Sequence, residues 1–314
     1  MKIASITIVL FSGILASHDC RGETDAAFNH SGALFALPVL YYTTDTGLGY
    51  GAAGLYGYQS APGRESQALF SAVHTTKRQF QSVVRLEHYL SEGNGRFNAE
   101  IQYNRFPKTF FGLGNRTTND NPSAYTPEYT EGKGTLDRNV WRDINFRIGA
   151  FFRNQALVKR GESNPVQSPA LPWGTGRFDS GMIGGILWDS RDNTSAANRG
   201  SLLKLEYTAS LFVSEGENFN RFSLDIRSFH QPLPGWISGT MLRAEGTRGD
   251  YPFYFLPALG GQERLRGFES DRFMDRNAFL VQQDLRFPIL WRIGGCVFVS
   301  SGQVSHDAGG IFSG

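Results

Sequence analysis

The sequence predicts an all-β protein, an antiparallel transmembrane β-barrel, and three observations support this prediction. From Ala33 onward, stretches of about ten residues alternate between apolar and polar side chains and end in turns. The polar face carries many charges, as in "RFNAEIQYN" from Arg96 to Asn104, which suits a water-filled lumen. The 37 Gly and 25 Phe residues favour strands and turns over helices. A soluble β-sandwich would alternate too, but the charged face and the strand lengths favour the membrane barrel.

The N-terminus has the layout of a secretory signal. Residues 1–17, "MKIASITIVLFSGILAS", begin with a lysine, continue with an apolar stretch and end with small residues. Residues 18–32 are then expected to form a short periplasmic linker, and residues 33–314 the barrel domain. No later stretch approaches the ~18 consecutive apolar residues of a membrane-spanning helix.

The alternation predicts about thirteen strands, and the connections between them differ in length. Several connections are turns of a few residues, whereas others are long, such as "PKTFFGLGNRTTNDNPSAY". Short turns at one end and long loops at the other are typical of outer-membrane barrels, with the long loops outside the cell. The predicted strands are 33–43, 47–60, 66–77, 80–91, 95–106, 125–138, 143–158, 177–188, 200–213, 219–230, 235–247, 277–287 and 292–304.

Composition and motifs argue against several other functions. A net charge of +2 with dispersed basic residues does not indicate a nucleic-acid partner. Glycines 49, 51 and 54 match the spacing of a dinucleotide site but fall inside a predicted strand, where such a site needs a strand-to-helix turn. The histidines lack metal-ligand spacing. We therefore expect no enzyme, no catalytic residue, no metal and no cofactor.

Two carboxylates in "WDSRDN", Asp189 and Asp192, could indicate a cation site. A charged turn at the periplasmic end of the barrel explains them as well, because Asp, Asn and Gly are common turn residues. The turn is the interpretation that we adopt.

The loop "ALGGQERLRGFESDRFMDRN" between the eleventh and twelfth predicted strands is the main candidate for function, because long ordered loops are usually functional. If it folds back into the lumen, Arg266 could reach Asp284 on the polar face of the next strand. Gly267 would then permit a tight turn, and Phe268 would pack on the barrel wall. The alternative is a solvated outer loop with an ordinary Arg-Gly-Phe triplet.

This loop resembles the sixth extracellular loop of the BamA/TamA-like outer-membrane barrels, the bacterial surface antigen family. The family's [IVL]-R-G-[FY] motif is matched by Leu265, Arg266, Gly267 and Phe268, and "WDSRDN…NRGSLLKLEY" resembles a family turn and the strand after it. The resemblance implies a barrel of about sixteen strands, with this loop after the eleventh. It also implies that Arg266 contacts acidic residues on the next two strands, at Asp284 and at the position of Ser300, where serine replaces the usual aspartate.

The resemblance further implies a role in outer-membrane protein insertion, assembly or translocation. The expected location is the Gram-negative outer membrane, and the expected partners are its lipid and lipopolysaccharide, with client proteins or the barrel-assembly machinery. Two departures are visible: residues 18–32 are too few for a periplasmic POTRA domain, and the sequence ends after the thirteenth predicted strand. We therefore expect the barrel to be incomplete at its C-terminus. The alternative function is a passive pore or structural surface barrel without assembly activity.

Overall fold

The computed structural model describes most of the chain from residue 32 onward. The predicted signal, and the predicted linker apart from its last residue, lie outside the described part. The described residues are 32–43, 46–61, 64–90, 94–117, 123–160, 176–193, 196–214, 216, 218–249, 251–261, 263–290 and 293–311.

The described residues form sixteen strands, of which thirteen are long and three have two or three residues. In chain order they are β1 Ala33–Thr43, β2 Gly47–Ala61, β3 Arg64–Thr75, β4 Phe80–Tyr89, β5 Gly95–Arg105, β6 Lys108–Phe110, β7 Ser123–Trp141, β8 Ile144–Arg160, β9 Gly176–Asp189, β10 Gly200–Val213, β11 Phe219–Leu233, β12 Trp236–Gly249, β13 Ala258–Leu259, β14 Phe273–Met274, β15 Asn277–Leu290 and β16 Ile293–Ser305.

The thirteen long strands lie side by side in one antiparallel sheet, each paired with its neighbours in the chain. The short β6 pairs with β7, and β13 pairs with β14 as a separate ribbon. The all-β prediction and the thirteen strands are confirmed, as is the expectation that eleven of them precede the long loop. β1 and β16 are the two ends of the sheet, and no pairing joins them within the described ranges.

The predicted strand boundaries agree with the structure to within a few residues. The largest difference is at β7, predicted at 125–138 and observed at Ser123–Trp141. Its N-terminal extension has a physical reason: at this end β7 pairs with the short β6 instead of β5, from Lys108↔Tyr125 to Phe110↔Ser123. The sheet therefore carries a hairpin that rises beyond β5 at the end with the long loops.

The two faces of the sheet differ in chemistry as the alternation predicts. We call the face that carries the charged residues the inner face; on it Arg85 pairs with Glu100, which is registered opposite Lys133. The outer face is apolar and exposed along most strands, as expected for a surface in contact with lipid acyl chains. Large exposed side chains on it include Tyr50, Ile101, Phe146, Ile148, Met182, Trp188, Tyr207, Phe222, Val297 and Val299.

The inner face is not charged everywhere. In β1 and β2 it carries Phe35, Leu37 and Leu55, all exposed, with Phe35 registered opposite Leu55. β1 is thus apolar on both faces, which departs from the charged inner face expected in nearly every strand. Glycines 49, 51 and 54 lie within β2. A Cβ at Gly49 would overlap the ring of Tyr41 on the neighbouring strand, so an aromatic ring covers this glycine.

Helical structure is minimal. The described residues contain two short 3-10 turns, Phe253–Phe255 and Ala308–Ile311. In the same part of the chain, no helix is long and apolar enough to cross a membrane.

Candidate functional site

The segment between β12 and β15 folds back against the inner face, and we call its residues 251–276 the luminal loop. Its two arms meet in the β13–β14 ribbon, where Ala258 pairs with Met274 and Leu259 with Phe273. The tip beyond this ribbon is held by its own backbone, since the amides of Gly260 and Gly261 donate to the carbonyls of Arg264 and Phe268 at 2.7 and 3.0 Å. The loop is therefore an ordered hairpin.

The first arm of the luminal loop is an aromatic anchor, Tyr251–Phe255. Phe253 is 2% exposed and packs edge-on against Phe110 of β6 and Tyr125 of β7, with ring centroids 5.8 and 5.5 Å apart. Phe255 reaches a second cluster, where its ring centroid lies 4.9 Å from that of Phe219 and 6.0 Å from that of Phe151. The anchor thus joins the loop to β6, β7, β8 and β11.

Tyr254, between these two rings, makes the polar contacts of the anchor. Its hydroxyl donates to Asp179 at 2.8 Å, and Asp179 also accepts from Arg177 at 2.7 Å. The guanidinium carbon of Arg153 lies 4.5 Å from the Tyr254 ring centroid and 4.0 Å from that of Tyr129. Burial and the adjacent Asp179 carboxylate raise the pKa of Tyr254, so the phenol remains protonated and can donate.

The motif arginine lies deeper, at the tip. Arg266 is about one third exposed, and a carboxylate oxygen of Asp284 lies 3.7 Å from its guanidinium. Its guanidinium carbon lies 4.9 Å from the ring centroid of Phe298 on β16. Asp284 also accepts from the Gln282 side chain at 3.0 Å, and Gln282 is registered directly opposite Ser300. The loop tip, β15 and β16 therefore meet around one guanidinium.

The other three motif residues have separate roles in the tip. Leu265 is 6% exposed and packs with Leu259 of β13 and with Leu280 and other residues of the wall, although its φ of 62° is unusual for a leucine. Gly267 has φ 98°, a conformation suited to glycine. Phe268 does not pack on the barrel wall as expected: it is half exposed, and its ring meets Phe273 of the same loop. Among the apolar side chains of the motif, it is Leu265 that packs on the wall.

Polar contacts fasten the remaining parts of the loop. Lys108 pairs with Asp271 at 3.0 Å, and Arg264 donates to Glu245 of β12 at 3.2 Å. Arg272 donates to the backbone carbonyl of Thr117 at 2.6 Å. Because these partners lie on β6, on β12 and in the loop after β6, the hairpin is held from several sides of the lumen.

The charges on the inner face largely neutralise one another. Asp137, 2% exposed, receives two hydrogen bonds from Arg147 at 2.6 and 2.7 Å, and Arg96 lies 3.3 Å away. Arg147 also reaches Glu206 at 3.1 Å, and Glu206 pairs with Lys133 at 2.7 Å. Such a network satisfies buried charges that would be costly if left alone.

The carboxylates of "WDSRDN" are occupied within the turn. Asp189 accepts two hydrogen bonds from Arg191, both at 2.8 Å. Asp192 accepts from the backbone amides of Asn198 and Arg199 at 2.9 and 3.2 Å. Burial would raise the pKa of Asp192, but these amides outweigh it and hold that pKa below its usual range. The structure supports the turn interpretation, and no cluster of metal-ligating side chains occurs among the residues that are described.

The aromatic anchor is the part of the site that sequence reasoning missed. The relevant signal was present: four aromatic residues in five positions, "YPFYF", immediately after a strand and at the start of a loop. Large aromatic side chains in a loop need a partner surface. The partners themselves could not be identified, because Phe110 and Phe253 are far apart in the chain.

Comparisons with known proteins agree with this architecture. Residues 64–313 match the Omp85 superfamily domain. Among solved structures, BamA from Haemophilus ducreyi lacking POTRA domains 1–3 superposes with a TM-score of 0.59 at 15% identity, covering 88% of this chain and 58% of that one. CdiB from Escherichia coli superposes with a TM-score of 0.59 at 11% identity, covering 88% of this chain and 52% of that one. No match was found among curated proteins.

The chain thus spans little more than half the length of the two solved structures that it resembles. At these identities the structural likeness concerns the fold alone, an antiparallel β-barrel architecture. The Omp85 domain match identifies the family, since it covers most of the chain. On that match, the protein belongs to the Omp85 superfamily.

Proposed function

We propose that this protein acts in the Gram-negative outer membrane to insert or translocate polypeptides, with the luminal loop as a movable plug. The observation that carries the proposal is the way the loop is attached. It occupies the lumen through side-chain contacts with β7, β8, β11, β12 and β15, while the sheet beside it remains paired. Such a plug can move without breaking the wall.

The outer and inner faces of the sheet indicate which partners the protein would contact. The apolar outer face would contact the outer-membrane lipid and lipopolysaccharide, and its exposed Trp141 and Trp188 suit the level of the headgroups. Client proteins would use the lumen or the wall, with or without the barrel-assembly machinery. The mechanism requires positional changes of the loop and no bond chemistry, so it needs neither a catalytic residue nor a cofactor.

In this proposal Arg266 links the loop tip to the wall through Asp284 and Phe298. Ser300 stands where the family resemblance implies a second carboxylate, so Arg266 would be held less tightly here. Arg266→Ala is expected to raise ion conductance modestly in planar bilayers. Unchanged conductance in a correctly folded variant would count against a plugging role for this residue.

The decisive experiment reconstitutes the full protein in liposomes and follows insertion of an unfolded client barrel. We expect faster insertion than into empty liposomes, and the acceleration should depend on the luminal loop. The same rate with and without the protein would refute an insertion activity.

The second candidate is a passive pore or structural barrel. The charged inner face, with ion pairs such as Arg147–Asp137, favours it because a hydrated lumen could conduct without any client. Conductance combined with no acceleration of client insertion would select this alternative.

A further inference from the structure

A cavity of about 340 Å³ lies between the tip of the luminal loop and the inner faces of β11, β12 and β15. Its floor is apolar at Phe229 and Met241 and lacks a side chain at Gly239. A Cβ at Gly239 would lie 3.2 Å from the Phe229 ring, so glycine preserves space here. The volume is at the lower end of the range for small-molecule sites.

Arginine side chains dominate the lining of this cavity. Four of them contribute to it: Arg227, Arg243, Arg266 and Arg286. Arg227 and Arg243 share a single carboxylate, since each lies 2.8 Å from Asp225. Two guanidinium groups on one carboxylate leave an excess of positive charge at this part of the wall.

Arg286 adds to that excess. In the described part of the chain it has no ion pair, and it lies over the ring of Phe229, whose centroid is 5.7 Å from the guanidinium carbon. The carboxylates that line the cavity are Glu263, which is exposed, and Asp284, which lies 3.7 Å from Arg266. The lining therefore contains four arginines and two carboxylates, and Asp225 pairs with Arg227 and Arg243 from outside the lining.

We propose that this cavity binds a phosphate-type oxyanion, with Arg286 as its principal ligand and Arg227 and Arg243 beside it. The planar guanidinium presents donors in a fork that matches phosphate oxygens, and charge-assisted hydrogen bonds of this kind are strong. Arg266 of the loop also lines the cavity, so an anion held by Arg286 of the wall would lie beside the plug. The site goes beyond the proposed function, since it requires no client.

The phosphate group could belong to free phosphate in the lumen or to a phosphorylated lipid. The test is calorimetric titration of inorganic phosphate into the full protein, purified in a phosphate-free maltoside detergent. We expect saturable binding that weakens with added salt. Arg286→Gln should lower the affinity about tenfold or more, because a charge-assisted hydrogen bond is lost. Purified lipopolysaccharide that displaces phosphate would identify a lipid source, and failure to displace it would identify free phosphate.

Arg248→Gln is the matched control, because Arg248 is exposed on the opposite face of β12 and should leave phosphate binding unchanged. Arg286→Lys keeps the charge but loses the fork, so its affinity should fall between those of the wild type and Arg286→Gln. Folding of each variant is checked by the heat-dependent gel shift of intact barrels. Equal affinity in folded Arg286→Gln and wild type, or no binding by the wild type at about 10 mM phosphate, would overturn the proposal.

Discussion

The aromatic anchor predicts which substitution releases the luminal loop. Phe253 is 2% exposed and contacts two rings of the wall, Phe110 and Tyr125. Replacing a buried Phe with Ala usually costs about 3–5 kcal/mol. At about 1.4 kcal/mol per factor of ten, Phe253→Ala should raise the ratio of released to docked loop by roughly two to three and a half orders of magnitude.

Arg266→Ala should have a smaller effect, although Arg266 belongs to the family motif. Its pairing with Asp284 at 3.7 Å involves a partly exposed side chain, and such pairs contribute up to about 1 kcal/mol. The contact with the Phe298 ring adds about 0.5–1 kcal/mol. These two contacts together account for an increase in released loop of roughly thirtyfold.

Cys296 provides the readout, because it lies on the inner face of β16, registered opposite Arg286, and is exposed. With Cys20 replaced by serine, a bulky impermeant maleimide added from the side of the long loops should alkylate Cys296 faster when the loop is displaced. If opening and closing are fast, the alkylation rate follows the open population.

Phe268→Ala is the matched control in the same loop, because the Phe268 side chain is half exposed and its ring meets Phe273 of the same loop. It should change the rate far less than Phe253→Ala. If Phe268→Ala or Arg266→Ala accelerates alkylation as much as Phe253→Ala, the reasoning that places the anchor at Phe253 is wrong.

Three other perturbations have defined outcomes. Gly260→Ala would place a Cβ 2.0 Å from a backbone carbonyl oxygen at φ 119°, so the loop tip must shift and limited proteolysis should cut this loop much faster. Gly267→Ala is the milder variant: at φ 98° with open space around it, it should cost only about 1–2 kcal/mol. Folding raises the pKa of Tyr254, so its protonated hydroxyl stabilises the docked loop fully below about pH 10, and this stabilisation is lost as pH rises toward the folded pKa. Conductance should therefore increase above pH 10. Tyr254→Phe should remove the part of that increase that is due to Tyr254. Arg147→Met would leave Asp137 buried with one fewer partner and should destabilise the barrel by about 3–5 kcal/mol in thermal gel-shift assays, whereas adding Asp137→Leu should restore much of that loss.

The strands could be predicted from the sequence because alternation is a local signal. β1 was predicted at 33–43 and is observed at Ala33–Thr43, and the pairing follows because antiparallel neighbours are joined by turns. The same alternation assigned Asp284 to the inner face. The inner face of β1 is harder to predict, because Phe35 and Leu37 alternate with other apolar residues and no polar positions mark one face as inner.

The packing of the luminal loop could not be predicted for a different reason. The contacts of Phe253 with Phe110 and of Arg272 with Thr117 join parts of the chain that are distant in sequence. Periodicity carries no information about such pairs. The motif indicated that the loop matters, but it did not indicate that Leu265 packs on the wall while Phe268 remains half exposed.

The luminal loop leaves the sheet from β12 and returns to it at β15, and these two strands are hydrogen-bonded to each other from Ile237↔Arg286 to Gly246↔Asn277. The loop is therefore an insertion between two strands that are already hydrogen-bonded to each other, so both of its ends are fixed at one place on the wall. Its displacement would expose the lumen while the hydrogen-bonded ladder between β12 and β15 stays intact. Gating of the lumen and mechanical integrity of the wall thus depend on separate sets of contacts, and mutations can change one without the other.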